Sequence, residues 1–70
     1  MATYKISAYY DGKYRGLADS AITEDASIAR EYVWEFLQEH FVEIKNLDTG
    51  ERKRYAEPSV IEDYDDIVLP

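Results

Sequence analysis

The sequence predicts an α+β fold, a small antiparallel sheet of two β-hairpins with one main helix packed on one face and a short C-terminal helix or tail. Three observations predict it. Residues 3–10 alternate polar and apolar before an Asp-Gly pair, residues 24–40 repeat apolar side chains at helical spacing, and residues 42–56 alternate again around a second turn. An amphipathic helix between two half-apolar hairpins buries its stripe most simply against their sheet.

In the first hairpin, residues 3–22, Tyr4, Ile6, Ala8 and Tyr10 fall on one strand face and Thr3, Lys5, Ser7 and Tyr9 on the other. Asp11-Gly12 predicts a tight turn, because glycine accepts positive φ. If Tyr10 pairs with Lys13, Leu17 stands opposite Ile6 and Tyr9 faces Tyr14. Gly16 and the small residues after it predict a bulge near 16–19.

Thr23 is the expected N-cap of a helix over 24–40, with Glu24 and Asp25 at its positive end. Ala26, Ala29, Val33, Phe36, Leu37 and His40 share one face, and of these Ala29, Val33, Phe36 and Leu37 are expected to be buried. Glu31, Glu35 and Glu39 fall opposite. The second hairpin, 42–56, points Val42 and Ile44 inward, turns at Asp48-Thr49-Gly50 and returns through Arg52-Lys53-Arg54. In the acidic C-terminal element, 59–70, Ser59 to Glu62 matches a capping box, so a short helix over about 60–66 is expected, an extended tail being the alternative.

Seventy residues make one domain, 1–70, with stability of roughly 3–5 kcal/mol. A monomer or weak homodimer is expected. Cys is absent and His40 is the single histidine, which leaves no thiolate chemistry and no zinc-type cluster. Asp65-Asp66 lacks the alternating ligands and glycine of a calcium loop. No metal, no cofactor and no catalytic residue are therefore expected, and the chain reads as a non-enzyme. No stretch resembles a signal peptide or membrane span, so the expected compartment is the cytoplasm.

Fifteen acids against eight bases give a net charge of −7. This argues against direct binding to nucleic acid or to anionic membrane. The charge is uneven: residues 1–54 carry net −2, whereas residues 55–70 carry net −5 through Glu57, Glu62, Asp63, Asp65 and Asp66. Glu31, Glu35 and Glu39 repeat at about 6 Å along the helix, a spacing comparable with DNA phosphates. They read either as a phosphate-mimicking stripe for a basic protein groove or as a solvated face. Arg52-Lys53-Arg54 reads as a guard on a sheet edge or as a partner of the acidic tail. Seven tyrosines suggest an exposed aromatic contact at Tyr9 and Tyr14; base stacking there is disfavoured for want of a basic rim. His40 reads as a helix-end residue, and Trp34 as a core edge or an interface anchor.

The Asp11-Gly12 hairpin, the helix opened by Thr23-Glu24-Asp25-Ala26 and the strand Val42-Glu43-Ile44-Lys45-Asn46-Leu47 directly after it resemble, in element order, small phage-encoded ββαβ inhibitors of the anti-CRISPR and host-polymerase type. The resemblance spans roughly residues 3–56 and implies inhibition by occupying a surface, in a host cytoplasm, without catalytic residues. Arg52-Lys53-Arg54 departs from a purely acidic DNA mimic.

The expected function is thus a small acidic inhibitor that blocks the basic, nucleic-acid-binding surface of a partner protein, anti-CRISPR- or anti-restriction-like. Its expected contact residues are Glu31, Glu35, Glu39, Asp63, Asp65, Asp66, Tyr9 and Tyr14. The alternative is an accessory subunit that binds by strand addition and exposed tyrosines.

Overall fold

The computed structural model describes residues 2–55 and 66–70. Strands β1 (Tyr4–Tyr9) and β2 (Leu17–Thr23), helix α1 (Ala26–Leu37), and strands β3 (Phe41–Asn46) and β4 (Arg52–Tyr55) follow in chain order. The strands form one antiparallel sheet in the order β2-β1-β3-β4, and α1 lies across β1, β3 and β2. The two hairpins are therefore joined through β1 and β3, with Ile6 opposite Ile44 and Tyr4 opposite Asn46.

The helix-covered side is the core. Ile6, Ala8, Val42 and Ile44 from the sheet meet Ala29, Val33 and Leu37 from the helix, with Tyr4 and Tyr55 at the margins. β1 and β3 place alternate residues here, as the pleat requires, while β4 adds Tyr55 and β2 no fully buried residue. Phe36 is only half-buried; it packs on the core margin with its ring 5.8 Å from Tyr32. Ala26 is exposed and His40 lies beyond the helix, so the buried stripe is narrower than the periodicity suggests.

Helix α1 starts later than its sequence signals. Thr23 still belongs to β2, opposite Tyr4, and cannot also cap. Asp25 is the N-cap, its carboxylate accepting from the Ser27 and Ile28 amides at 2.8 and 3.2 Å, while Thr23 Oγ1 accepts from the Asp25 amide. Glu24 consequently precedes the helix. At the other end Gln38 is the C-cap, and Glu39 and His40 lie in the turn after it.

The first hairpin is wider than a two-residue Asp-Gly turn. The Tyr10 amide donates to the Gly16 carbonyl at 2.9 Å, and residues 11–15 loop out between them. Asp11 organises the loop: its carbonyl accepts from the Tyr14 amide, and its side chain from the Lys13 and Arg15 amides. The positive φ falls on Tyr14 (56°) and not on Gly12. In consequence Leu17 stands opposite Tyr9 and Ala21 opposite Ile6. The expected bulge is present, since Ala8 pairs with Asp19 and Tyr9 with Leu17, leaving Ala18 as the extra residue. Tyr10, expected on the apolar face, is 70% exposed because β1 ends at Tyr9.

The second hairpin turns at Asp48-Thr49-Gly50, with Gly50 at φ 80°. Asn46, buried at the end of β3, accepts from the Asp48 and Thr49 amides and donates to the Pro70 carbonyl. That last bond is one of several that hold residues 66–70. The Tyr55 hydroxyl donates to the Val68 carbonyl at 2.7 Å and accepts from its amide, and Arg30 Nε donates to the Ile67 carbonyl. Ile67 is thereby inserted into the core. The helix expected at about 60–66 lies, but for Asp66, outside the described residues.

Candidate functional site

Two surfaces carry the chemistry, one on the helix and one on the uncovered side of the sheet. On the helix, Glu31 and Glu35 are exposed and, with Ile28 and Tyr32, line a depression of about 250 Å³. Positions 28, 31, 32 and 35 share a helix face because they repeat at three and four residues. Ile28 and Tyr32 supply the apolar part of this lining, and Glu31 and Glu35 the carboxylates. Glu39, expected as the third member of this stripe, falls after the helix ends and does not line the depression. Asp66 is exposed at the start of the terminal segment, and Asp63 and Asp65 lie outside the described residues.

The open side of the sheet is organised in three cross-strand rungs, since residues directly opposite one another share a face. The first is Ile22–Lys5–Lys45–Arg52, the second Ser20–Ser7–Glu43–Arg54 and the third Leu17–Tyr9–Phe41. Four of the eight basic residues thus stand on one face of a chain whose net charge is −7. Glu43 is the one acid among these rungs. It takes Arg54 in a salt bridge at 2.8 Å, the single ion pair among the described residues. Lys5, Lys45 and Arg52 are exposed and have no carboxylate partner among the described residues.

Tyr14 closes the aromatic end of this face. Its positive φ swings the ring over the third rung, edge-on to Tyr9 at 5.6 Å and to Phe41 at 6.4 Å, with the Arg54 guanidinium 4.4 Å above its centre. The loop packs on the cluster at Gly12, where an added Cβ would stand in ordinary van der Waals contact, 3.5 Å from the Phe41 ring. Burial pushes the Tyr14 phenol above its ordinary pKa of 10.0; Arg54 opposes that rise and Glu43 adds to it. The expected Tyr9–Tyr14 contact exists, although through a loop residue. The absence of a basic rim does not hold: Arg54 stacks on the cluster itself.

Sequence reasoning missed Phe41, Lys5, Lys45, Arg52 and Arg54 as members of one surface. The available signal was strand alternation, which places residues 5, 7 and 9 and residues 41, 43 and 45 opposite the core-facing ones. The β1–β3 pairing that aligns them is not a local property.

Tyr10 lies at the same end, edge-on to His40 at 5.4 Å. Among the described residues no three His, Asp or Glu side chains gather closely enough to hold a metal ion, and no helix is long and apolar enough to cross a membrane. No protein-family model, curated protein or solved structure matches the chain.

Proposed function

We propose that this chain is a non-catalytic protein-binding inhibitor whose helix docks on a basic, nucleic-acid-binding surface of a partner protein. The observation that carries the reading is the depression lined by Ile28, Glu31, Tyr32 and Glu35. A lysine or arginine of the partner lays its aliphatic stem on Ile28 and Tyr32 and brings its cation between the two carboxylates. Tyr32 adds a cation–π contact, worth about 0.5–1 kcal/mol at an exposed site. Acidic faces also steer encounter with basic grooves and raise association rates.

The test is the double reversal Glu31→Lys/Glu35→Lys, with the partner isolated on the wild-type chain and then titrated against both proteins. Binding should fall at least about a hundredfold, because like charges brought together cost several kcal/mol, while the melting temperature holds. Unchanged affinity at unchanged stability would sink the reading.

The accessory-subunit reading has its own support in β2. This outer strand carries Leu17 and Ile22, 57% and 63% exposed, whereas the other edge, β4, is guarded by Arg52, Lys53 and Arg54. Strand addition would bury apolar area, so its affinity should change little between low and high salt.

A further inference from the structure

We infer that the open face of the sheet binds single-stranded nucleic acid, with Lys5, Lys45 and Arg52 on backbone phosphates and the Tyr9–Tyr14–Phe41 cluster against bases. This goes beyond the helix reading and uses the opposite side of the molecule.

The first support is the cation rung. Lys5 stands directly opposite Lys45, and Lys45 opposite Arg52, on three adjacent strands. Like charges directly opposite one another destabilise a sheet, and Glu43, the one acid among the rungs of this face, is occupied by Arg54. The rung spans about 10 Å at ordinary strand spacing. An external polyanion relieves its repulsion.

The second support is what stands beside the cations. The aromatic rung lies four residues further along β1 and β3, about 13 Å away on the same face. An acidic peptide or a lipid headgroup layer needs the cations alone. A single strand uses both, because unstacked bases pack on aromatic rings and on guanidinium planes such as that of Arg54 over Tyr14. A duplex keeps its bases stacked and gains nothing from the rings.

The net charge of −7 does not prevent this. The helix carboxylates lie on the far side of a molecule whose shortest dimension is 16 Å. At 0.1 M salt the Debye length is about 10 Å, so those charges are largely screened from the sheet face.

The experiment is fluorescence anisotropy of the full chain with fluorescein-labelled oligo(dT) and oligo(U) of about 15 nucleotides, from about 0.05 to 0.2 M salt. Saturable binding is expected, with a logarithmic salt slope of about −2, as three phosphate contacts give on a single strand. The triple variant Lys5→Gln/Lys45→Gln/Arg52→Gln should lose at least about tenfold in affinity and most of the slope. Phe41→Leu should weaken binding about tenfold with the slope retained. Should the triple variant melt early, Lys45→Gln alone should lose about a third of the slope.

Several results overturn the inference: no binding at the lowest salt, binding untouched by the cation variants, or equal competition by polyglutamate, anionic vesicles or the duplex. Glu31→Lys/Glu35→Lys, which breaks the helix reading, should leave the slope unchanged, so the two readings fail separately.

Discussion

The two sides of the sheet are built from the same four strands, yet they do different work. The helix-covered side takes Ile6, Ala8, Val42 and Ile44 and is almost wholly apolar, whereas the open side takes Lys5, Ser7, Glu43 and Lys45 from the same β1 and β3. Period-two alternation lets one strand meet both demands without compromise. The difference teaches that stability is vested in one side. The other is free to hold an arrangement, three opposed cations beside an aromatic cluster with one strained member, Tyr14, that the fold itself does not favour.

That contrast is broken most severely from the core. Ile44→Ala should cost about 3–4 kcal/mol, as buried Ile-to-Ala changes do. This is comparable to the roughly 3–5 kcal/mol available to a core this small, so urea denaturation should find the variant largely unfolded in buffer. Its neighbour on the open face provides the control: Lys45→Ala should melt at or slightly above the wild-type temperature. If Lys45→Ala destabilised as much as Ile44→Ala, the two-sided division would be wrong.

Ile67→Ala tests whether the terminal segment belongs to the stable side. A loss of about 2–3 kcal/mol in denaturant midpoint analysis is expected, because the side chain is buried in the core cluster. A loss below about 0.5 kcal/mol, usual for surface sites, would place the segment outside the core.

Tyr14 offers a smaller probe on the open side. Its left-handed backbone costs about 1–2 kcal/mol in a residue other than glycine. Against that stand two edge-on ring contacts of about 0.5–1.5 kcal/mol each and the Arg54 stack. Tyr14→Gly relieves the strain and loses the contacts, so a net loss of about 1 kcal/mol is expected, against almost none for Tyr14→Phe at neutral pH.

The smallest effect is a pH dependence. Because the folded Tyr14 pKa is raised above the unfolded one, the neutral phenol's contribution is complete below about pH 10 and is lost as pH rises through the folded value. Wild type should therefore lose stability more steeply than Tyr14→Phe in that alkaline window, and ultraviolet titration of tyrosinate should show a late-titrating phenol that Tyr14→Phe lacks.

Much of this architecture is legible in the sequence, because alternation and helical periodicity are local. Val42, Ile44, Ala29, Val33 and Leu37 are where their spacing puts them. Local signals failed where two elements compete for one residue. Thr23 is both a fair cap and a strand partner of Tyr4, and the strand won. Asp11-Gly12 resembles a tight turn, but the loop closes at Tyr10 and Gly16 and gives its positive φ to Tyr14, which is compensated by ring contacts no local rule contains. The open face was hidden for a different reason. A net charge is a sum, and −7 conceals a face on which cations outnumber acids, visible only once Lys5, Lys45 and Arg52 are aligned by pairing of strands distant in sequence.

The strand order carries one more consequence, for the route to the fold. β1 lies inside the sheet, so half its hydrogen bonds wait for β3, some 40 residues downstream across the Tyr4–Asn46 pairing. A lone β1–β2 hairpin is marginal in water, and α1 has only part of its apolar floor, Ile6 and Ala8 of β1, until β3 brings Val42 and Ile44. The decisive step is therefore the closure of a long loop that already contains β2 and α1, which sets folding slower than in helical bundles built on local contacts. The same step tolerates added length. Closure entropy grows only by about 0.6 kcal/mol per doubling of the loop, so extra residues in that connection should slow folding only modestly.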